Sequence, residues 1–367
     1  MSTTLQALGE QGQSPWIDYI EREYVRDGHL GRMVEDGIVG VTSNPTIFQG
    51  AIAGGSAYDE QLREVLKTET NPKEVFLALA REDIREACDV LRPVYDRSGA
   101  TRDGWVSLEV DPNLANDTAA TAREARRLHQ LIDKPNLFVK IPGTKAGLQA
   151  IEDTIAAGIP VNVTLLFSLQ RHREAAEAYI RGLRRLRDGG GDLRSVASVA
   201  SFFVSRVDTE ADKRLDEVGG QDALKGTLAI ANAKLAYQSY KELFSGPDWE
   251  ELAAAGGSVQ RCLWASTSTK NPAYRDVLYV EELIGPHTVN TMPRETIDAF
   301  MDHGRVEPTL ERDPDEAHRT FERFAEAGIS YDDVVAVLER QGVEKFSESF
   351  SKLIDGVAGK RDQLVAA

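Results

Sequence analysis

The sequence has little cysteine and no long apolar run, and these two absences exclude several classes of protein. Only Cys88 and Cys262 occur in 367 residues, too few for a disulfide framework or a four-cysteine zinc site. No stretch approaches the roughly 18 consecutive apolar residues that a membrane helix needs. The amino-terminal segment MSTTLQALGEQGQSPW lacks a basic region followed by an apolar one, so we expect no secretory signal and a cytoplasmic location.

Positive charge is also scarce. The chain has 43 Lys and Arg against 59 Asp and Glu, a net charge of -16, which argues against nucleic acid as a partner. A phosphorylated substrate would therefore need a local concentration of basic groups. The six histidines are scattered without metal-ligand spacing, so we predict no metal site, and we expect His129, His172 and His318 at the surface.

Short β-branched runs alternate with longer helical patterns, a rhythm typical of repeated βα units and a parallel sheet. The predicted strands are WIDYI (16–20), IVGVTSN (38–44), WVSLEV (105–110), LFVKIP (137–142), VNVTLLF (161–167), VASVASFF (196–203), QRCLWAS (260–266) and HTVNTMP (287–293). Eight such units predict an α/β fold of the (β/α)8 TIM-barrel type with extra helices.

We expect residues 1–367 to form a single TIM-barrel domain with three additions. Residues 1–14 are predicted to be a flexible segment. Residues 58–95 read as two helices where one would suffice. Residues 340–367 form an amphipathic pattern, with Phe346, Phe350 and Leu353 on one face, that predicts a C-terminal helix packing on the barrel.

Alternation within the strands separates polar from apolar side chains. In LFVKIP, Leu137, Val139 and Ile141 oppose Phe138 and Lys140. In VNVTLLF, one face is likewise apolar and the other polar, with Val161, Val163 and Leu165 opposing Asn162 and Thr164. Because surrounding helices require apolar outward faces, the polar side chains must point into the barrel, near the ends of the strands where TIM-barrel active sites lie. Eight polar residues from seven strands are expected to converge there: Asp18, Asn44, Glu109, Lys140, Asn162, Thr164, Ser201 and Ser266.

Lys140 is the most informative of these residues, because an ammonium group is expensive to bury. Burial of a lysine favours its neutral amine, which can form a Schiff base with a ketone. Such chemistry needs acid and base groups, and Asp18 and Glu109 lie on strands of the same barrel. Two alternatives remain open: a buried ion pair between Lys140 and Glu109, and Lys145 in the following loop as the nucleophile.

Five ordered motifs closely resemble those of the transaldolase family: TSNPT (42–46), SLEVDPNLANDT (107–118), LFVKIPGTKAG (137–147), VNVTLLFS (161–168) and SFFVSRVD (201–208). The segment LWASTSTKNPAYRD (263–276) is similar to the version in the longer bacterial members. The resemblance covers nearly the whole chain. It implies a TIM barrel without cofactor that moves a three-carbon dihydroxyacetone unit between sugar phosphates.

The resemblance also implies roles for the inward residues. Lys140 would form the Schiff base, and Asp18 would be the acid and base acting on the hydroxyl beside the scissile bond. Glu109 and Thr164 would hold and activate a water that carries protons. Whether Glu109 acts on Lys140 directly or through this water stays open.

Six further residues would bind the substrate. Those expected to hold the three-carbon unit are Asn44, Asn162 and Ser201. Arg206 would hold the phosphate, since a guanidinium suits its oxygens, with a surface ion pair to Asp208 as the alternative. Other members have an arginine shortly after the serine of the seventh strand. Here Ser266 and Lys270 are expected to complete the site, although Lys270 could equally be a solvated loop lysine.

The predicted activity is that of a transaldolase in the pentose phosphate pathway. It would convert sedoheptulose 7-phosphate and glyceraldehyde 3-phosphate to erythrose 4-phosphate and fructose 6-phosphate. One alternative is a fructose 6-phosphate aldolase, which releases the three-carbon unit. Another is a catalytically silent barrel that binds sugar phosphates. The expected partners are sugar phosphates, not nucleic acid or membranes, and the chain is expected to be a monomer or a homodimer.

Overall fold

A computed structural model describes residues 2–53, 56–99 and 103–366. Its eight parallel strands close into a barrel in chain order, each paired with the next and the eighth with the first. The strands are β1 (Gln13–Asp18), β2 (Gly40–Thr42), β3 (Trp105–Glu109), β4 (Leu137–Pro142), β5 (Val161–Leu166), β6 (Ser198–Phe203), β7 (Gln260–Ala265) and β8 (Thr288–Met292). The fold is therefore the predicted (β/α)8 barrel.

Sixteen α-helices surround or cap the barrel within the described ranges. They are α1 (Thr4–Glu10), α2 (Arg22–Arg26), α3 (His29–Asp36), α4 (Pro45–Ala53), α5 (Asp59–Val65), α6 (Pro72–Ser98), α7 (Thr118–Ile132), α8 (Lys145–Ala156), α9 (Leu169–Asp188), α10 (Ser205–Val218), α11 (Leu228–Leu243), α12 (Pro247–Ala254), α13 (Leu278–Glu281), α14 (Arg294–His303), α15 (Pro314–Glu326) and α16 (Tyr331–Ala366). The extra helices predicted in 58–95 are α5 and α6.

The interior below the strand ends is filled by aromatic rings. Trp105 and Phe138 stack with their centroids 4.1 Å apart, and Trp16 lies 6.1 Å from Phe138. Gly40 makes room for this layer, because a Cβ there would lie 2.3 Å from the Trp16 ring. The aromatic layer blocks the barrel axis and supports the polar residues above it.

Strict alternation fails near the end of one strand. The pairing of β5 with β6 shifts register between Val163 and Leu166, and Leu165 has a φ of 59°. A β-bulge of this kind turns the strand and redirects its side chains. The prediction that Leu165 continues the face of Val161 and Val163 therefore missed the bulge at this point.

The amino-terminal segment differs from the prediction. Residues 1–14 were expected to be flexible, but the described part contains α1 and the first residues of β1. A capping box between Thr3 and Gln6 starts α1, and Leu5 and Leu8 are fully buried. The segment is ordered because its helix is capped and buries two leucines. The polar residues around these leucines made the segment look flexible in the sequence. Strand β1 also starts three residues before the predicted segment, ahead of Pro15.

The C-terminal helix is longer than predicted. It was expected over 340–367, whereas α16 begins at Tyr331. It packs closely at Gly342, where an added Cβ would lie 3.1 Å from the Phe167 ring, and its Phe350 contacts Phe76 of α6 with centroids 6.2 Å apart. These contacts place α16 across the end of the barrel where the strands finish.

Candidate active site

A cavity of about 620 Å³ opens at the C-terminal ends of the strands. Eight of the ten predicted site residues line it: Asp18, Asn44, Lys140, Thr164, Ser201, Arg206, Ser266 and Lys270. The other two, Glu109 and Asn162, lie behind its wall. The structure thus brings residues far apart in the sequence into one pocket, at the end of the barrel where such sites form.

Lys140 lies inside the barrel with its side chain 7 % exposed. It is paired in register with Glu109 of β3 on one side and Asn162 of β5 on the other. Its Nζ donates a hydrogen bond of 2.9 Å to the carbonyl oxygen of Ser43 and lies 3.5 Å from Glu109 Oε2. The predicted contact with Glu109 therefore exists, but the amine also faces the open cavity.

Glu109 is a buried carboxylate at the end of β3. Its side chain is 4 % exposed, and no donor in the described ranges bonds either carboxylate oxygen. Burial raises the pKa of Glu109 to about 7, although the Lys140 ammonium opposes this shift. The Thr164 hydroxyl is likewise buried without a partner among the described residues. Such groups need a hydrogen-bonding partner, and a bridging water would provide one.

Asp18 lies at the end of β1 and is held by its neighbours. Thr42 Oγ1 donates a hydrogen bond of 2.8 Å to Asp18 Oδ1, and the amide of Asn44 lies 3.4 Å from the same oxygen. Thr42 is in turn 2.8 Å from the hydroxyl of Thr291 on β8. This network fixes one carboxylate oxygen and leaves the other available to the cavity.

Three polar side chains form a chain of hydrogen bonds across the barrel. The Ser201 hydroxyl donates to Asn162 Oδ1 at 2.7 Å, and Asn162 Nδ2 donates to the Ser107 hydroxyl at 3.1 Å. Asn162 is fully buried, whereas Ser201 reaches the cavity. In this arrangement, Asn162 orients Ser201.

Basic groups gather where β6 and β7 end. The Arg206 guanidinium lies over the Phe203 ring, 5.2 Å from its centroid, and burial lowers the pKa of Arg206. No carboxylate in the described ranges pairs with it. The alternative ion pair with Asp208 is wrong, because the Asp208 carboxylate accepts hydrogen bonds from Ala229 N and Tyr279 Oη at 2.7 and 2.8 Å.

Two further residues complete this basic end of the cavity. The Ser266 hydroxyl lies 2.9 Å from that of Ser205, and its backbone φ of 56° marks a sharp change of direction after β7. Lys270 is exposed and donates a hydrogen bond of 2.7 Å to Ser268. Lys270 lies in the loop, as the alternative expected, yet it lines the cavity. An arginine and a lysine thus provide the local positive charge that a phosphorylated substrate requires.

Comparison with known proteins gives the family. A model named "Transaldolase/Fructose-6-phosphate aldolase" matches residues 15–357. The chain belongs to the transaldolase/fructose-6-phosphate aldolase family. The family acts on sugar phosphates, and its model covers the barrel described above except for the first two residues of β1.

Curated relatives of this family match over their full lengths. A transaldolase from Parafrankia sp. (strain EAN1pec) is 50 % identical, covering 100 % of both chains. One from Frankia alni is 50 % identical, covering 98 % of this chain and 97 % of its own. Transaldolase 1 of Streptomyces coelicolor is 49 % identical over 98 % of this chain and 95 % of its own. The chain has the transaldolase activity of these relatives, an enzymatic transfer of aldehyde or ketone residues.

Several structural features of this family member were missed by the sequence reasoning. The predicted site residues include none from the eighth strand, yet Thr291 of β8 lines the cavity and its hydroxyl is hydrogen-bonded to that of Thr42. Its pairing with Trp16 could not be predicted without the strand register. Three residues of α16 also line the cavity, at a position that only tertiary packing decides: Lys345, Phe346 and Ser349. The rival nucleophile Lys145 is exposed at the start of α8 and does not line the cavity.

The histidines follow the expectation only in part. His318 is exposed and His129 is partly buried, but His172 is buried, with Nε2 3.6 Å from Cys262 Sγ. The prediction for His172 was wrong because its side of α9 packs against the barrel. Among the residues that the structure describes, no three His, Cys, Asp or Glu side chains are grouped to hold a metal ion, and no helix could cross a membrane.

Proposed function

We propose that this chain transfers a dihydroxyacetone unit from sedoheptulose 7-phosphate to glyceraldehyde 3-phosphate, with Lys140 as the nucleophile. The products are erythrose 4-phosphate and fructose 6-phosphate. The observation that carries this proposal is the placement of the Lys140 amine, buried 3.5 Å from a carboxylate and open to a cavity with a basic end. A lysine in such a position is suited to Schiff-base chemistry with a ketone.

The first step needs a neutral amine. The Glu109 carboxylate accepts the ammonium proton of Lys140 through a water held between Glu109 and Thr164. The free Nζ then attacks the ketose carbonyl carbon. The carbonyl oxygen takes up one proton from Nζ and the proton that Glu109 had accepted, and it leaves as water, so that a protonated imine is formed. The unpartnered oxygens of Glu109 and Thr164 support this water-mediated route, since Glu109 itself lies behind the cavity wall.

The second step breaks a carbon–carbon bond. Asp18 takes the proton from the hydroxyl on the carbon beyond the scissile bond, and the bond's electron pair moves toward the protonated imine. An aldose phosphate leaves, and a three-carbon enamine stays on Lys140. The bonds from Thr42 and Asn44 keep Asp18 in place for this transfer. The enamine then adds to the acceptor aldehyde, and the same steps run in reverse.

The binding residues form two groups, one for each end of the substrate. Asn44 and Ser201 hydrogen-bond the hydroxyls of the three-carbon unit, and Asn162 positions Ser201. Arg206 holds the phosphate with Ser266 and Lys270. Asn44 follows β2 and Arg206 follows β6, four places apart in the eight-stranded barrel, so the phosphate lies across the opening from Asn44, while Ser201 on β6 lies on the same side as Arg206.

Borohydride trapping tests the nucleophile. Incubation with fructose 6-phosphate and borohydride should add one reduced three-carbon unit to Lys140, located by peptide mass spectrometry. A Lys140→Ala variant should gain no adduct and lose turnover, whereas Lys145→Ala should behave as the parent. An adduct on another lysine, or normal turnover by Lys140→Ala, would show the assignment to be wrong. Free dihydroxyacetone released without an acceptor would indicate aldolase activity instead.

A further inference from the structure

Helix α16 contributes side chains to the cavity from outside the barrel. Lys345, Phe346 and Ser349 line it. Ser349 is four residues after Lys345 and three after Phe346, and side chains at these two spacings are neighbours on a helix surface. The rest of α16 holds this surface toward the barrel through the close approach of Gly342 to Phe167 and the contact of Phe350 with Phe76.

Aromatic contacts place this part of α16 at the basic end of the cavity. The Phe346 ring lies 6.4 Å from the Phe203 ring, with an interplanar angle of 71°. The Arg206 guanidinium also contacts the Phe203 ring, 5.2 Å from its centroid. Lys345 and Arg206 line the same cavity, and α16 contacts α10, the helix that contains Arg206.

In the part of the chain that the structure describes, no carboxylate pairs with the Lys345 ammonium. Within residues 2–53, 56–99 and 103–366, no Asp or Glu oxygen lies within 4.0 Å of it, although Glu344 and Glu348 are on the same helix. Glu344 lies 3.9 Å from Arg340 instead. An unpaired cation at a cavity mouth, in a chain with a net charge of -16, favours an anionic ligand at that position.

We propose that Lys345 binds the phosphate of the sugar substrates together with Arg206, so that α16 supplies a specificity-determining residue of the site. This inference rests on the proposed function. Arg206 and Lys270 already provide positive charge to this cavity, and Lys345 adds a third cation from α16. The C-terminal helix then contributes to the choice of phosphorylated over unphosphorylated sugars.

Kinetics of Lys345→Ala test this role, with Lys352→Ala as the matched control on the same helix. Lys352 is also exposed but does not line the cavity. We expect Lys345→Ala to raise KM for fructose 6-phosphate about three- to tenfold with little change in kcat, as for the loss of one partly solvated charge contact. Inorganic phosphate should inhibit this variant more weakly. Both differences should shrink as ionic strength rises, because the contact is exposed to salt.

Unphosphorylated substrates separate phosphate binding from structural damage. With dihydroxyacetone as the trapped ketone and unphosphorylated glyceraldehyde as the acceptor, Lys345→Ala should match the parent. Lys345→Glu should raise KM for phosphorylated substrates further and leave trapping of dihydroxyacetone intact. Equal KM values for the Lys345 and Lys352 variants, or equal losses with both classes of substrate, would overturn the proposal. Failure of dihydroxyacetone to trap on the parent chain would instead count against the proposed function.

Discussion

The protonation state of Glu109 should control the activity between pH 6 and pH 8. Its pKa is raised from an ordinary 4.5 to about 7, because burial, opposed by the Lys140 ammonium and aided slightly by the charge of Asp18, disfavours the carboxylate. Below this pH the carboxyl group is protonated and cannot accept the proton that Lys140 must lose. Activity should therefore fall as pH falls through about 7.

The expected change in kcat/KM follows from the titration of Glu109. A group with a pKa of about 7 is about 10 % carboxylate at pH 6 and about 90 % at pH 8, so kcat/KM should rise about tenfold over that range. The assay uses fructose 6-phosphate and erythrose 4-phosphate, and follows the released glyceraldehyde 3-phosphate through coupling enzymes in excess at each pH. Glu109→Gln should lower kcat by about 10²- to 10⁴-fold and remove the inflection.

Asp208 provides the control for this experiment. Burial also raises its pKa to about 7, but its carboxylate is bonded to Ala229 and Tyr279 and does not line the cavity. An Asp208→Asn variant should keep the inflection in kcat/KM. The reasoning is refuted if the parent shows no ionisation between pH 6 and pH 8, if Glu109→Gln retains it, or if only Asp208→Asn removes it.

Two predictions concern stability. Because the folded-state pKa of Asp208 is raised from 3.8 to about 7, its protonated form stabilises the fold at low pH, and that contribution is lost as pH rises through about 7. At pH 8, thermal unfolding should show the free energy of unfolding of Asp208→Asn to exceed that of the parent by at most about 4 kcal/mol. Near pH 4 the two proteins should be equally stable. A difference that stays constant with pH would contradict this prediction. Asp83→Ala should lower the free energy of unfolding, measured in urea, by about 3 to 5 kcal/mol. In the parent, the buried Arg22 guanidinium lies 2.8 Å from Asp83, and the variant leaves it without this ion-pair partner. Glu86→Ala, which removes an exposed pair with Arg26 on the same helix α6, should cost no more than about 1 kcal/mol, and equal losses in the two variants would show that burial is not the cause.

The alternation of side chains predicted much of the interior correctly. Phe138 and Lys140 share the inner face of β4, and Glu109 and Asn162 flank Lys140 in register. This was predictable because a strand between a barrel axis and outer helices must alternate its faces, and a lysine among apolar residues can only point inward. The same reasoning failed at Leu165, where a β-bulge interrupts the alternation.

The sequence by itself determined the eight βα units and the inner face of β4, and it indicated Lys140 as the proposed nucleophile, because these inferences depend on local periodicity and on motifs within single segments. Only the tertiary structure decided which inward residues reach the cavity. Glu109 lies behind its wall, Thr291 enters through the pairing of β8 with β1, and Lys345 arrives from a helix far along the chain. Such placements depend on register, on bulges and on how helices pack across the barrel, and these are contacts between segments that no single stretch of sequence specifies. The direction of the Lys140 side chain follows from alternation within its own strand, β4. Its neighbours in the barrel come from other strands, so only the tertiary structure shows them.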